Sequence, residues 1–404
     1  MRNMQNVRFL YAFRFFHNLI PAYVIERLFW EQRGMSIPLV VLTEIIYALT
    51  VILLEVPSGI AADKFGRKRM MVVAGFFGCC EFLILVFAAK FWHFAAAVFV
   101  AGIGRAASSG AETALLYDSL LVCGEEHKFE KCLGRLNAWD FTAAIIAALS
   151  GSVMASLYGF ELNYWVSVGG MLVSLAFSFM LVEPERKSLE RSKVEAETEE
   201  PLAFWQYVTA SLRFFRKQPD VSLMVLAGMV VGASVNYIDE FWQLYVNRLG
   251  VPVVFFGVFS AGLSFIRLPG NMLAYKLKDR ISYRTLITSV LTMFTAGSLY
   301  LALVKGYSSL VVIFTICGVS GIIDPLVSGY LHHRIDSTMR ATIDSFQSLG
   351  LRAVTMLVGL GFGYFSSVYD IFGGYGFIAL VCLAYLVYFM RAHRTLDGNL
   401  STTG

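Results

Sequence analysis

The stretch Pro57-Ser58-Gly59-Ile60-Ala61-Ala62-Asp63-Lys64-Phe65-Gly66-Arg67-Lys68-Arg69 decides how the rest of the chain is read. It closes one apolar run, at about 38–62, opens the next, at about 70–89, and crowds four basic residues and an aspartate around Gly66. A weaker copy follows further on, where Pro269-Gly270-Asn271-Met272-Leu273-Ala274-Tyr275-Lys276 leads into Lys278-Asp279-Arg280. Gly270 lies 211 residues after Gly59, about half of the 404-residue chain. A loop that recurs at half the length marks a duplicated helical unit, the plan of many membrane carriers. A fainter echo pairs Arg135 and Asp140 with Arg340 and Asp344.

Outward from that loop, the composition agrees. The chain is 57% apolar and 15% charged, against roughly 45–50% and about 25% in soluble domains. A spanning helix needs about 20 mostly apolar residues. Runs of that kind fall at about 7–29, 38–62, 70–89, 93–121, 136–158 and 163–182, then at about 222–246, 252–276, 285–304, 308–331, 342–365 and 371–390. The expected fold is an all-α polytopic membrane protein with twelve transmembrane helices in two pseudo-symmetric six-helix bundles, residues 1–182 and 221–404. The segment 183–220 between them begins with a dense charge run from Glu183 to Glu200 that cannot bury itself. Its second part, Pro201 to Lys217, spaces Phe204, Trp205, Val208, Leu212 and Phe215 on one side and predicts an interfacial helix. The first run carries Arg14, His17, Glu26 and Arg27, unlike a cleaved signal sequence, and is expected to remain as span one. The net charge of +4 is too small to imply nucleic acid. Cysteines 79, 80, 123, 132, 317 and 382 offer no CxxC and no metal spacing, and are expected as reduced, packed thiols.

Orientation follows from the basic residues. With alternating spans and both termini on one side, that side collects 24 Lys and Arg and the other only Arg27, Arg33, Lys90, Arg248 and Lys305. The positive-inside rule then places both termini and the central segment in the cytoplasm, in a cell inner membrane. The four remaining arginines, Arg14, Arg105, Arg267 and Arg352, fall inside the spans.

The first loop resembles the signature between spans two and three of the major facilitator superfamily. Gly59, Asp63, Gly66, Arg67 and Lys68 match its pattern, and Gly110 to Asp118 in span four also looks like bacterial members. Physically, Gly59 can let two helices approach closely, Asp63 can accept amide hydrogens at a neighbouring helix start, and Arg67 can fork onto a carboxylate such as Asp118. With Asp140, Arg340 and Asp344 near the same end, they would form a cytoplasmic gate. As a pure orientation signal the loop would explain Lys68 and Arg69, but not Asp63 with two glycines.

A charge at mid-span costs about 2.5–3.5 kcal/mol and ordinarily faces a cavity or a partner. In the superfamily the cavity is lined mainly by spans one, two, four, five, seven, eight, ten and eleven, and the resemblance puts all four buried arginines on that set. Candidate substrate-binding or coupling residues are Arg14, His17, Arg105, Glu112, Asp239, Glu240, Arg267, Asp324 and Arg352. Two readings stay open: the arginines recognise an anionic group, or each is neutralised by a resident carboxylate, as Arg105 by Glu112 one helical face away and Arg352 by Asp344. Glu81 in span three is expected to be paired structurally. The aromatics of span one and of span seven (Tyr237, Phe241, Trp242, Tyr245) are expected mostly to face lipid or the interface.

No GxxxxGK[ST], HExxH or GxSxG motif appears, so neither ATP hydrolysis nor an enzyme is expected. No cofactor or metal is implied. The expectation is a monomeric, proton-coupled secondary transporter that exports a small organic or amphipathic solute. Alternatives are a metabolite uptake symporter and a lipid flippase, and the absence of proline from Ala144 to Gly159 departs from the span-five motif of drug exporters.

Overall fold

A bilayer core offers the backbone no water, so a spanning chain must satisfy its own amides, and this chain does so with helices. The computed structural model describes residues 2–184, 213–278, 280–332 and 340–401, without a strand among them. The spans, in chain order, begin with α1 (Arg2–Asn18), a 3-10 turn (Pro21–Val24) and α2 (Glu26–Gln32), which together make the first crossing. Next come α3 (Ile37–Phe65), α4 (Arg67–Val86), α5 (Phe91–Ser108), α6 (Ala111–Leu121), α7 (Phe129–Tyr158) and α8 (Phe160–Met180). The second half contains α9 (Pro219–Arg248), α10 (Phe256–Lys278), α11 (Tyr283–Leu303), α12 (Ser308–His332) and α13 (Arg340–Ser401). Among the described residues, ten stretches are long and apolar enough to cross a membrane. One of them, Phe346–Ala392, is broken at Tyr369 and Asp370 and crosses twice, so with the first crossing the fold is the twelve-span, all-α one.

Two unbroken spans expected from the sequence are instead broken. Span one stops at Asn18 because Pro21 cannot donate an amide hydrogen to a continuing helix. The backbone of the break is taken up by α8: Asn163 Nδ2 donates to Pro21 O at 3.0 Å while also donating to Gly151 O of α7 at 2.8 Å, and Ala22 N donates to Ser167 Oγ at 3.2 Å. Span four divides at Gly110, whose φ of +74° is open to glycine and strained for other residues. That break starts a new helix, α6, and places Glu112 in its first turn.

Packing gathers the chain into two units. The first comprises Met1–Met35, Leu42–Glu200 and Pro252–Ala261, the second Ser36–Val41, Pro201–Val251 and Gly262–Gly404. Within the first, Leu10 and Phe13 of α1 pack with Met71 of α4, Leu115 and Leu116 of α6 and Leu136 of α7. Within the second, Tyr237 stacks on Phe362 with centroids 5.0 Å apart, and Tyr245 meets Tyr375 edge to face at 5.1 Å. Tyr237, Phe241, Trp242 and Tyr245 are all buried, which corrects the lipid-facing expectation for span seven. Lipid is as apolar as a protein core, so hydropathy does not distinguish the two faces. Of the interfacial helix expected over 201–217, only 213–217 lies among the described residues, where it is helical, and 185–212 lie outside them.

Candidate functional site

Among the described residues, charged side chains gather at the α3–α4 loop and around Arg14 in the first unit, and around Arg267 in the second. At the α3–α4 loop, Gly66 adopts φ +100° and sets the start of α4. The first amides of α4 have no partner within the helix, and Glu183, just past α8, supplies one: its carboxylate accepts from Arg67 N at 2.8 Å and from Lys68 N at 2.7 Å. A Cβ on Gly66 would stand 2.8 Å from that carboxylate, so both conformation and space demand glycine. Arg67 Nη1 ion-pairs with Asp118 of α6 and donates to Ala114 O at 2.8 Å. The contact to Asp118 is through one nitrogen, not the fork expected, because the guanidinium shares itself with the carbonyl. A groove of about 1380 Å³ opens here, lined among others by Asp63, Lys64, Arg69, Tyr117 and Asp118. Gly59 makes no close approach in this structure, since a Cβ there would meet no atom within 4 Å.

The second place lies deeper. Arg14 of α1 stands with Nη1 2.6 Å from Glu112 Oε2 and Nε 3.5 Å from Asp140 Oδ1 of α7. Asp140 therefore belongs with Arg14 and Glu112 rather than with the loop. Glu112 is 6% exposed, and its other oxygen, Oε1, is buried with no hydrogen-bond partner among the described residues. His17, one turn along from Arg14, stacks on Phe13 at 5.1 Å and also leaves a buried Nδ1 without a partner. Arg105 is exposed and forms no ion pair among the described residues. The Arg105–Glu112 pairing expected from their seven-residue spacing is not made, because the break at Gly110 takes the two off a common helical face.

In the second unit, Arg267 of α10 ion-pairs with Asp239 of α9, and its Nη2 also lies 3.5 Å from Cys317 Sγ on α12. Glu240 follows Asp239 on α9 and its charge reaches it. Arg352 is half-buried on α13. Asp324, Arg340 and Asp344 lie on helical backbone, but their side chains fall outside the described residues. The two readings of the arginines thus divide: Arg14 and Arg267 are neutralised by resident carboxylates, whereas Arg105 is not.

Two features escaped the sequence reading. Glu183 read as part of a solvated charge run, and only its position directly after an apolar span marks it as a helix cap. Arg27, counted among loop residues, is 3% exposed and lies 2.5 Å from Glu44 Oε1 of α3 and 4.0 Å from Glu26. Its guanidinium also covers the Trp30 ring at 4.8 Å. Glu81 of α4, expected to be paired structurally, forms no ion pair among the described residues.

The chain as a whole is similar to known proteins. A family model described as Major Facilitator Superfamily matches residues 9–343. An uncharacterized transporter of Buchnera aphidicola subsp. Schizaphis graminum (strain Sg) is 26% identical over 144 residues, 36% of this chain and 35% of that protein. Multidrug resistance protein MdtH of Proteus mirabilis (strain HI4320) is 25% identical over 170 residues, 41% of each chain. The chain thus spans well under half the length of the curated relatives it matches. Among solved structures, nucleoside transporter NupG superposes with a TM-score of 0.76 at 11% identity, over 97% of this chain and 99% of that one. A D-xylose-proton symporter superposes with a TM-score of 0.69 at 12% identity, over 96% of each. At such identities the likeness is one of fold.

Proposed function

The chain belongs to the Major Facilitator Superfamily, and from that premise we propose that it exchanges protons for a small organic or amphipathic solute by alternating access. It is a secondary transporter and not an enzyme, and it is a multi-pass membrane protein. The observation that carries the proton reading is Glu112, a carboxylate that is 6% exposed inside a span, with one oxygen on Arg14 and the other without a partner. A carboxylate so placed can take and release a proton as its surroundings change. Asp239, His17 and, from its place in span ten, Asp324 are the further candidates for this role.

Export is the direction we propose, supported by the relationship to a protein named for multidrug resistance over 41% of the chain. Uptake is the second reading, favoured by the fold likeness to a D-xylose-proton symporter and by the absence of proline from Ala144 to Gly159 in span five. A lipid flippase on the same fold would use the same spans. The 24-to-5 distribution of basic residues supports both termini facing the cytoplasm. Arg67, Asp118, Asp63, Gly59 and Gly66, with Arg340 and Asp344, are proposed as the gate on that side. A monomer suffices for this cycle.

The test is transport into proteoliposomes and inverted vesicles from a solute library, with and without an imposed pH gradient, for wild type and for Glu112→Gln, Asp239→Asn and Asp324→Asn. Gradient-dependent movement that a variant uncouples supports the reading and fixes the direction. Movement of labelled lipid, with no solute moved, overturns it in favour of a flippase.

A further inference from the structure

Span seven starts at a corner. In a continuous helix the amide of residue 219 would donate to the carbonyl of Phe215, but residue 219 is proline and has no amide hydrogen. Gln218 leaves the helical conformation, with φ −122° and ψ 72°, and Ser222 Oγ donates to Phe215 O at 2.6 Å in place of the missing amide. The chain therefore turns between the helical residues 213–217 and α9. Two contacts hold the corner against α13: the Phe215 ring lies 5.3 Å from that of Phe346, and Tyr385 Oη donates to Leu223 O at 2.6 Å.

A groove of about 480 Å³ lies at this corner, where span seven starts and span twelve ends. Phe215, Leu223, Leu226 and Tyr388 give it an apolar floor, and Arg216 stands in its lining. The charge around it is mostly of one sign. Arg213, one turn before Arg216, and Lys217, the next residue, are exposed, as is Arg391 beside the lining residue Ala392. Asp220 is the one acidic residue in 213–226. The positive-inside rule accounts for cations at this end of the spans. It does not account for an apolar groove beneath them.

That pairing restricts the occupant. A free inorganic anion would answer the cations and leave the apolar floor bare. A second copy of the chain, seated on the same face by a two-fold axis, would bring like charges together. A soluble protein stops at the membrane surface, whereas Leu223 and Leu226 belong to the span. A phosphodiester carried on acyl chains meets both halves, with guanidinium donors for its oxygens and apolar side chains for its tail. We propose that the corner between residues 213–217 and α9 binds an anionic phospholipid, its phosphate held by Arg216 with Arg213 and Lys217, and its acyl chain laid along Phe215, Leu223, Leu226 and Tyr388. In the orientation supported above, this lipid belongs to the cytoplasmic leaflet. The inference is independent of the transported solute and of the coupling ion.

The test uses the purified full-length protein in a neutral detergent and follows thermal unfolding while a probe is titrated in. The probes are dioleoyl phosphatidylglycerol, dioleoyl phosphatidylcholine, oleate and inorganic phosphate. Phosphatidylglycerol is expected to raise the melting temperature at a concentration at least tenfold below that needed of phosphatidylcholine or oleate, and phosphate to give no shift. The triple variant Arg213→Gln, Arg216→Gln, Lys217→Gln is expected to weaken phosphatidylglycerol about a hundredfold, from about fivefold for each cation near a lipid surface. Leu226→Gln, which puts an amide on the floor, is expected to weaken both phospholipids about threefold or more. A control triple, Lys128→Gln, Lys131→Gln, Arg135→Gln, removes the same charge near the start of α7 and should keep the preference. Arg213, Arg216 and Lys217 are exposed, so their variant is expected to fold, and an unchanged melting temperature without lipid checks it. If it is destabilised, the wild type decides: its preference for phosphatidylglycerol is expected to shrink at least fivefold between about 0.1 and 1 M salt, as screening tightens from about 10 to about 3 Å. The inference is overturned if phosphatidylcholine, oleate or phosphate stabilises as well as phosphatidylglycerol, or if salt leaves the preference unchanged. It is equally overturned if the preference survives the first triple, if the control triple loses it, or if Leu226→Gln binds as the wild type does.

Discussion

Arg14 of α1 ties two carboxylates from two other helices, Glu112 Oε2 at 2.6 Å and Asp140 Oδ1 at 3.5 Å. Arg14→Gln would leave both acids facing each other without a cation. Breaking a fully buried pair costs about 3–5 kcal/mol. Because Arg14 keeps 24% and Asp140 36% of its side-chain surface, about 2 kcal/mol is expected here. Thermal unfolding in detergent measures it, and the double variant Arg14→Met with Glu112→Met should recover part of the loss. A double variant worse than either single one would show that the pair is not the seat of the effect.

At the α3–α4 loop, Glu183→Ala removes the acceptor of two α4 amides and is expected to cost about 1 kcal/mol, as for other helix caps. Gly66→Ala is expected to cost more, since it adds strain at φ +100° to a collision with the Glu183 carboxylate. Melting temperatures in the reverse order would refute this account of the loop.

Asn163 is fully buried and donates to Pro21 O and Gly151 O. Asn163→Leu keeps the volume and removes the side-chain donor from both carbonyls, so a loss of about 2 kcal/mol is expected. Ser167→Ala, which removes a single acceptor from Ala22 N at 3.2 Å, should cost less. Equal melting temperatures for Asn163→Leu and wild type would mean that the break in span one is satisfied otherwise.

If the Arg67–Asp118 pair is a gate, Arg67→Gln should change the speed of the cycle and not the grip on the solute. The expected result is a fall in kcat of tenfold or more, about 1.4 kcal/mol, with KM unchanged. A raised KM at constant kcat would place Arg67 in solute binding.

Much of the fold was legible because a bilayer demands long apolar runs, and those survive any detail of packing. The helix breaks were not. Pro21 and Gly110 are visible as residues, but whether a break forms depends on distant partners such as Asn163 that take up the freed backbone. The same holds at the site. Arg14 and Glu112 were marked by the cost of a charge in a span and Asp140 only as a gate residue, yet the Arg14–Glu112 pair joins residues 98 apart in sequence and cannot be read from spacing. Spacing pointed to Arg105 as the partner of Glu112 only on a straight helix, and the helix turns at Gly110. Span seven failed differently, because an aromatic stripe reads alike whether it meets lipid or Phe362 and Tyr375.

Glu112 and Asp118 ride on one eleven-residue rod, α6, cut from α5 at Gly110. They stand about 9 Å apart along its axis. Arg14 grips one end and Arg67 the other. With about three turns, the rod holds the two carboxylates at a fixed spacing, so neither ion pair can shift along the helix axis without bearing on the other. The two clasps share a single short shaft, with a glycine at its head.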